Sequence, residues 1–157
     1  MDGIGYKANT NYMIGYSYIQ LEYFDNALIH LNKAISIKSD KGGYYYSRGY
    51  VYLNQEKWDE ALKDYEIAKS KYLKNKVKID EYFYNDIGYV YFKLGSFNLA
   101  IDNYEKAIKI NPNRGSFYKL RGNVKIMLNE GKSACIDWSK AASLGDKDGI
   151  PNIKKWC

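Results

Sequence analysis

The stretch that decides the fold is residues 81–113, EYFYNDIGYVYFKLGSFNLAIDNYEKAIKINPN. Apolar and small residues recur at intervals of three and four on both sides of Gly95-Ser96. They are Tyr84, Ile87, Gly88 and Tyr91 before it, and Ala100, Tyr104, Ala107 and Ile108 after it. This spacing places each set on one face of a helix. Asn111-Pro112 ends the pattern, because proline disfavours helix in the preceding residue. The stretch therefore predicts an antiparallel pair of helices that approach closely at Gly88 and Ala100.

The same pattern occurs four times along the chain. Each copy has a glycine, a long side chain three residues later and an alanine twelve residues after the glycine: Gly15/Tyr18/Ala27, Gly49/Tyr52/Ala61, Gly88/Tyr91/Ala100 and Gly122/Lys125/Ala134. Each alanine is followed at plus four and plus seven by a large residue and a second alanine: Leu31/Ala34, Tyr65/Ala68, Tyr104/Ala107 and Trp138/Ala141. The glycines lie 34, 39 and 34 residues apart. Five positions that agree in four copies indicate internal repeats.

This period and these residues closely resemble the tetratricopeptide repeat, over nearly the whole chain. The resemblance implies one all-α domain over residues 1–157, a right-handed α-solenoid of four antiparallel helix pairs and a short C-terminal capping helix. The repeats are expected at about 8–41, 42–75, 81–114 and 115–148, and the cap at about 149–157. The first helices are predicted near 9–21, 43–54, 81–94 and 115–128, and the second helices near 25–37, 58–73, 97–110 and 131–143. Two departures from the family pattern are the single closing proline, Pro112, and Lys125 in place of a tyrosine.

Two segments interrupt the regular period. Residues 69–80 contain five lysines and predict a lengthened second helix that ends in a solvated basic turn, with contact to an acidic partner as the alternative. At the C-terminus a helix is predicted near 150–156, with Ile150, Ile153 and Trp156 turned towards repeat four. This ending resembles that of many bacterial tetratricopeptide proteins. In that geometry Cys135 and Cys157 come close, so a disulfide is one hypothesis and two buried thiols without a bond is the other.

The composition excludes several classes of function. No apolar run is long enough to span a membrane. One histidine and two cysteines are too few for a structural zinc site, which needs four ligands, and Lys41-Gly42-Gly43 lacks the spacing of a phosphate loop. We therefore predict no metal, no cofactor and no catalytic residue, with His30 exposed. The N-terminus has neither the basic start nor the apolar core of a signal peptide. A chain that had lost such a signal would look the same, so the compartment stays open between cytoplasm, periplasm and secretion.

The resemblance also implies a concave groove lined by the first helices. In this family the groove positions lie three residues before, one after and five after the repeat glycine. Here they are Tyr12, Tyr16, Gln20, Tyr46, Tyr50, Asn54, Asn85, Tyr89, Lys93, Lys119, Asn123 and Met127. Five of the twelve are tyrosines, which offer an extended peptide apolar area and a hydrogen bond with few rotors to order. The alternative is that these rings only pack against one another. The tyrosines at packing positions are predicted to be core: Tyr18, Tyr45, Tyr52, Tyr84, Tyr91 and Tyr118.

One familiar groove type is predicted to be absent. Tetratricopeptide domains that clamp a chaperone's C-terminal carboxylate use lysines, an arginine and asparagines at set positions. Here Tyr12 and Tyr16 stand in place of lysine and asparagine, and Tyr82 and Asp86 in place of lysine and arginine. Because Asp86 would repel a carboxylate, the sequence does not predict a chaperone clamp.

The leading interpretation is a non-enzymatic scaffold that binds a peptide or protein segment in the tyrosine-lined groove, as a monomer or weak oligomer. The net charge of +6 and the stackable rings make a nucleic-acid-binding helical repeat protein one alternative. A structural or oligomerising adaptor is another, because the first helix has no cap like the one predicted at the C-terminus. The sequence does not name the partner.

Overall fold

A computed structural model describes residues 3–157, except for the side chains of residues 149 and 150. Within this range the chain forms four helix pairs and one further short helix. The helices are α1 Gly3–Gln20, α2 Phe24–Ile37, α3 Gly42–Asn54, α4 Trp58–Lys74, α5 Glu81–Lys93, α6 Phe97–Ile110, α7 Gly115–Met127, α8 Gly131–Ser143 and α9 Ile150–Trp156, with a 3₁₀ turn at Lys147–Gly149. Met1, Asp2 and the predicted inward side chain of Ile150 lie outside the described residues.

The helix ends lie within one residue of their predicted positions, with one exception. The first helix begins at Gly3 instead of near residue 9. Its extra turns are held by Ala8, which is fully buried in a cluster with Ala34 and Tyr44. This contact joins residues far apart in sequence, so local periodicity did not show it.

The chain divides into two compact units. The N-terminal unit, Met1–Ile79, contains α1–α4, and the C-terminal unit, Asp80–Cys157, contains α5–α9. Within the N-terminal unit each helix packs on the next one in sequence, and the same holds for α5–α8 of the C-terminal unit. The single domain over residues 1–157 stays a prediction.

The repeat glycines make room for a large side chain from the paired helix. A Cβ atom added to Gly49 would lie 2.8 Å from the Tyr65 ring, and one added to Gly122 would lie 2.8 Å from the Trp138 indole. At Gly88 the Tyr104 ring is 2.9 Å from the same point. The repeat alanines are fully buried beside these contacts: Ala27, Ala34, Ala61, Ala68, Ala100, Ala107, Ala134 and Ala141. The small residues therefore set how closely the two helices of a pair approach.

The turn inside each pair uses one backbone conformation. The residue seven positions after the repeat glycine has a positive φ in all four repeats: Glu22 at 59°, Glu56 at 58°, Gly95 at 72° and Asn129 at 60°. The next residue donates its backbone N–H to a carbonyl five residues earlier, as Lys57 does to Tyr52 at 2.9 Å. This is the Schellman ending of a helix, in which glycine is the usual left-handed residue.

An ion pair between a buried aspartate and a half-buried arginine ties three helices together in repeats two and four. Arg48 of α3 donates two hydrogen bonds to Asp64 of α4, at 2.7 and 2.8 Å, and a third to the Asn32 side chain of α2 at 2.7 Å. Arg121 of α7 does the same with Asp137 of α8, at 2.9 and 2.6 Å, and reaches Glu105 of α6 at 3.5 Å. The hydrogen bond with Asp64 is the main reason that the pKa of Arg48 is raised.

Repeats one and three carry other residues at these positions. Ile14 and His30 replace the pair in repeat one, and Ile87 and Asn103 replace it in repeat three. The prediction of an exposed His30 is therefore wrong: the ring is half-buried and stacks on Tyr18 at 5.6 Å between centroids. Its Nδ1 lies 3.3 Å from Asn11 Oδ1. The equivalent position in the other repeats is also polar and buried, since it holds Asp64, Asn103 and Asp137.

The predicted basic turn is confirmed. Helix α4 extends to Lys74, and Lys74, Lys76 and Lys78 are exposed. Lys71 is half-buried, and its ammonium group lies 5.1 Å from the centre of the Tyr45 ring.

The predicted inward face of the final helix is only partly right. Ile153 is half-buried, but Trp156 is 53% exposed and lies beside an open cleft formed with residues 129–133. Trp156 is the last residue of α9, and only one residue follows it in the chain described.

Of the tyrosines predicted as core, only Tyr45 is buried. The others, Tyr18, Tyr52, Tyr84, Tyr91 and Tyr118, are half-buried. Cations lie over several of these rings, as Arg121 does over Tyr118 at 5.6 Å. A half-buried ring keeps its hydroxyl near water, which explains why tyrosine is tolerated there.

Candidate functional site

A small slot opens between α1 and α3 in the N-terminal unit. It is lined by Tyr16, Ile19, Gln20, Tyr46, Ser47 and Tyr50, and its volume is about 170 Å³. Intervals of four residues place Tyr16 and Gln20 on one face of α1, and Tyr46 and Tyr50 on one face of α3. Tyr16 is 44% exposed and Tyr50 is 37% exposed. We call this cavity the tyrosine slot, and four of its six residues are predicted groove residues.

The other two predicted groove residues of this unit are held by their neighbours. The Tyr12 ring packs on Tyr44 at 4.9 Å and on Tyr16 at 6.3 Å between centroids, and its hydroxyl accepts a hydrogen bond from Ser47 at 3.5 Å. The Asn54 amide donates to the Tyr50 carbonyl at 2.8 Å. Tyr12 therefore supports the wall of the tyrosine slot instead of lining it.

The predicted groove residues of α5 have mixed surroundings. The Asn85 amide donates to the Asp86 carboxylate at 3.3 Å, and the Lys93 ammonium lies 5.9 Å from the centre of the Tyr89 ring. Asn85 Oδ1 is buried and has no hydrogen-bond partner among the described residues. This face of α5 therefore carries acidic, basic and amide side chains.

Two predicted groove residues of α7 are bound by the end of the chain. Lys119 forms ion pairs with Asp146 at 3.3 Å and Asp148 at 3.0 Å. Burial lowers the pKa of Lys119, but the hydrogen bonds to Asp148 and Asp146 outweigh it, so the pKa is raised. Asn123 Oδ1 accepts hydrogen bonds from the Trp138 indole at 2.9 Å and from Asn152 at 3.1 Å. Met127, the third residue of this set, is 55% exposed.

A buried hydroxyl lies on α6, at one of the positions that the helical pattern places on the packing face. Tyr104 is fully buried, and its hydroxyl has no hydrogen-bond partner among the described residues. Burial raises the pKa of Tyr104, and the nearby Tyr89 and Asp86 raise it further. Periodicity located the ring correctly, but it carries no information on whether the hydroxyl finds an acceptor.

The two cysteines are joined at the C-terminal end. Cys135 of α8 and Cys157 form a disulfide, with their Cα atoms 5.8 Å apart and a sequence separation of 22. In the loop-entropy model, closing a loop of this size stabilises the folded state by about 3 kcal/mol. Oxidation of the pair in solution stays a prediction, which mass analysis after alkylation without reductant would test.

The described part of the chain has neither a candidate metal site nor a candidate membrane span. Residues 3–157 contain no group of three histidine, cysteine or acidic side chains placed to hold a metal ion. None of the described helices combines the length and the apolar character needed to cross a membrane.

The repeated helix pairs, with a glycine under a large side chain in each, define a helical repeat protein. The chain is a tetratricopeptide repeat protein: models of the tetratricopeptide repeat match residues 8–41 and 82–114. These ranges agree with the predicted first and third repeats.

Two relatives of known name are similar over most of this chain. The Hsp70-Hsp90 organising protein of Plasmodium falciparum is 26% identical over 150 residues, which are 90% of this chain but only 27% of that protein. The chain thus spans about a quarter of that relative's length. The photosystem I assembly protein Ycf3 of Prochlorococcus marinus is 27% identical over 135 residues, covering 78% of this chain and 77% of that protein.

Solved structures show the same fold at low identity. YrrB, described as a tetratricopeptide repeat protein with an unusual peptide-binding site, has a TM-score of 0.78 and 19% identity, covering 91% of this chain and 72% of that chain. MamA has a TM-score of 0.78 and 22% identity, covering 91% of this chain and 81% of that chain. The predicted fold class, an α-solenoid of four helix pairs with a capping helix, is confirmed.

The family gives the general role of the protein. Tetratricopeptide repeat proteins are scaffolds for protein–protein interaction, they bind protein partners, and they are typically not enzymes. A bacterial protein is among the relatives, in agreement with the resemblance of the C-terminal segment to bacterial members.

Proposed function

We propose that the protein binds an extended segment of a partner protein, with one uncharged apolar side chain of that segment in the tyrosine slot. The observation that carries the proposal is the slot itself, an open cavity of about 170 Å³ with three tyrosines in its lining. A protein cavity of about 150 Å³ can hold a benzene molecule. The tyrosine slot is therefore large enough for one phenylalanine-sized or leucine-sized side chain.

The charge of the lining favours this occupant. None of the six residues that line the tyrosine slot carries a formal charge. A charged side chain placed there would lose hydration without gaining an ionic partner, which is unfavourable. A nucleic acid would need lysine or arginine side chains for its phosphates, and the lining supplies neither.

The polar groups of the lining suit the backbone of a peptide. Gln20 is exposed at the slot and carries both a donor and an acceptor, and tyrosine hydroxyls can do the same. The partner's backbone can thus bond to the rim while one side chain enters the cavity. This division of roles is common in peptide recognition.

Selection from a peptide library displayed on phage tests the proposal. We expect the intact chain to enrich peptides that share one apolar or aromatic position. Tyr16→Ala with Tyr50→Ala should weaken binding of the selected peptides at least tenfold, because each truncated aromatic contact is worth more than about 1 kcal/mol at a binding hot spot. Adding Tyr89→Ala to the Tyr16→Ala, Tyr50→Ala variant measures what α5 contributes to the peptide affinity.

The matched control is Tyr6→Ala, since Tyr6 is also on α1 and is 77% exposed. It should leave the affinity unchanged, and circular dichroism should show equal helicity in all variants. Full binding by the Tyr16/Tyr50 variant would exclude the tyrosine slot as the binding site.

The oligomerising alternative has less support. The position five residues before the repeat glycine is a buried aromatic in the later repeats, namely Tyr44, Phe83 and Phe117. In repeat one it is Thr10, which is exposed and donates its hydroxyl to the Tyr6 carbonyl at 3.0 Å. Ser17 is likewise exposed and bonds to its own helix, where the other repeats bury valine. Thr10 and Ser17 therefore place hydroxyls on this face, although Met13 between them is 53% exposed, so the edge is less apolar than the faces that the later repeats bury.

A further inference from the structure

The cap segment, residues 147–157, binds to the same side chains that the repeat pattern assigns to the groove of α7. Asp148 holds the Lys119 ammonium at 3.0 Å, and Asn152 donates to Asn123 Oδ1 at 3.1 Å. Asp146 also contacts Lys119, but it precedes the cap segment and belongs to the turn that ends α8. The cap segment therefore occupies positions that a partner would otherwise reach.

Most of the described side chains of α9 are exposed. Helix α9 has seven residues, which is far too short to be stable by itself in water. Pro151, Lys154 and Lys155 are exposed, and Trp156 is 53% exposed. The covalent link from Cys157 to Cys135 of α8 is thus the strongest restraint on its end.

We propose that the cap segment is a thiol-controlled cover: with the disulfide closed it withholds Lys119 and Asn123, and with the disulfide reduced it uncovers them for a carboxylate-bearing segment of a partner protein. The carboxylate follows from charge complementarity, because the Lys119 ammonium already donates a hydrogen bond to the Asp148 carboxylate. The proposal rests on the scaffold function, but it concerns the C-terminal unit and does not depend on the tyrosine slot.

The chemical step is thiol–disulfide exchange with a thiol reductant. A reductant thiolate attacks Sγ of Cys157, which is an exposed residue, the S–S bond breaks, and Cys135 leaves as a thiolate that takes a proton from water. A second reductant thiol then displaces Cys157 from the mixed disulfide. Two cysteine thiols are formed, and two reductant thiols are oxidised to one disulfide.

Hydrogen exchange tests the cover without any partner. In the intact chain, reduction by dithiothreitol and the Cys157→Ser variant should both speed amide exchange in residues 150–157 at least tenfold. Helices α5 and α6 should exchange as before. Exchange in the cap segment that is equally slow with and without the disulfide would overturn the proposal.

Binding of a fluorescein-labelled hexa-aspartate peptide tests the uncovered surface. At low salt the reduced protein and Cys157→Ser should bind the peptide at least tenfold more tightly than the oxidised protein. Adding Lys119→Gln to Cys157→Ser should remove this gain, while adding Lys140→Gln, which changes an exposed lysine of α8, should keep it. Equal affinity in both redox states, or a gain that survives Lys119→Gln, would refute the proposal. The Tyr16/Tyr50 variant should show the same gain, so failure of the tyrosine slot and failure of the cover give different results.

Discussion

At the scale of single residues, the most unusual side chain is Tyr104. Its ring fills the space that Gly88 leaves open, yet its hydroxyl is buried without a hydrogen-bond partner among the described residues. A buried hydroxyl of this kind costs about 1–3 kcal/mol. The ring and the hydroxyl therefore have opposite effects on stability, and mutation can separate them.

We expect Tyr104→Phe to raise the free energy of unfolding by about 1 kcal/mol at neutral pH, because it keeps the ring and removes the unsatisfied hydroxyl. Urea denaturation of both proteins measures this. Tyr6→Phe, which changes an exposed tyrosine, is the control and should have no effect. A destabilised Tyr104→Phe protein would mean that the hydroxyl does have a partner in solution.

The same variant has a distinct dependence on pH. Tyrosine in the unfolded chain ionises near pH 10, and burial raises the pKa of Tyr104 above that value. As the pH rises above 10 the unfolded state loses this proton first, so the stability of the natural protein falls by about 1.4 kcal/mol per pH unit on account of this residue. Below pH 10 both states are neutral there and the term vanishes. The stability advantage of Tyr104→Phe should therefore grow between pH 10 and 11.

At the scale of elements, the turns between paired helices are alike in backbone and unlike in sequence. Glu22, Glu56 and Asn129 adopt the left-handed conformation that Gly95 adopts in repeat three. For residues with a Cβ atom this conformation costs about 1–2 kcal/mol. Replacing such a residue by glycine removes this cost. Part of the gain is lost again, because glycine is more flexible in the unfolded chain.

Glu56→Gly should therefore stabilise the protein by about 0.5–1 kcal/mol, although glycine near a helix usually destabilises. Thermal unfolding followed by circular dichroism measures the shift, with Glu66→Gly on the exposed face of α4 as the control. The control should destabilise by about 1 kcal/mol, because glycine is unfavourable inside a helix. If both variants destabilise equally, the turn is not strained.

Local patterns explain how well the elements were predicted. The ends of α2–α9 follow from apolar spacing, from Gly95 and from Pro112, all of which act within a few residues. The early start of α1 depends on Ala8 packing against Ala34 and Tyr44, which is a tertiary contact. The left-handed conformation of the turn residues was not predicted: Gly95-Ser96 marked one turn, and glutamate and asparagine at the equivalent positions are not specific signals for that conformation.

At the scale of the whole molecule, the arginines couple neighbouring repeats. Arg48 joins repeat two to Asn32 of repeat one, and Arg121 joins repeat four to Glu105 of repeat three. Each compact unit thus contains one such link. Repeat proteins owe their cooperativity to interface terms between neighbours, so these links should make each pair of repeats unfold together.

Asp64→Ala should lower the stability of the intact chain by about 3 kcal/mol, since it leaves Arg48 partly buried without its carboxylate. Hydrogen exchange should then show reduced protection of the backbone amides across α1–α4, and not only in α4, which contains residue 64. Glu66→Ala, which removes an exposed carboxylate two residues away, should change stability by less than about 0.5 kcal/mol. A loss of protection confined to α4 would contradict the coupling.

The candidate site was predictable only in part, because some of its contacts lie outside the repeat pattern. The groove positions follow from the repeat register, and that register brings Tyr16, Gln20, Tyr46 and Tyr50 to one cavity. The binding of Lys119 and Asn123 by residues 148 and 152 comes from a segment outside the repeats. The repeat pattern predicts only contacts that recur in every repeat, and these two contacts are made by the C-terminal segment alone.

The alternation of the arginine links also bears on the history of the chain. Arg48 and Arg121 occupy equivalent places in repeats two and four, and Ile14 and Ile87 do so in repeats one and three. Phe24 of the first repeat likewise recurs as Phe97 of the third. Duplication of an ancestral gene segment that already encoded two unlike repeats would produce this alternation in one event. The duplicated module would then be a pair of repeats that carries its own internal ion pair.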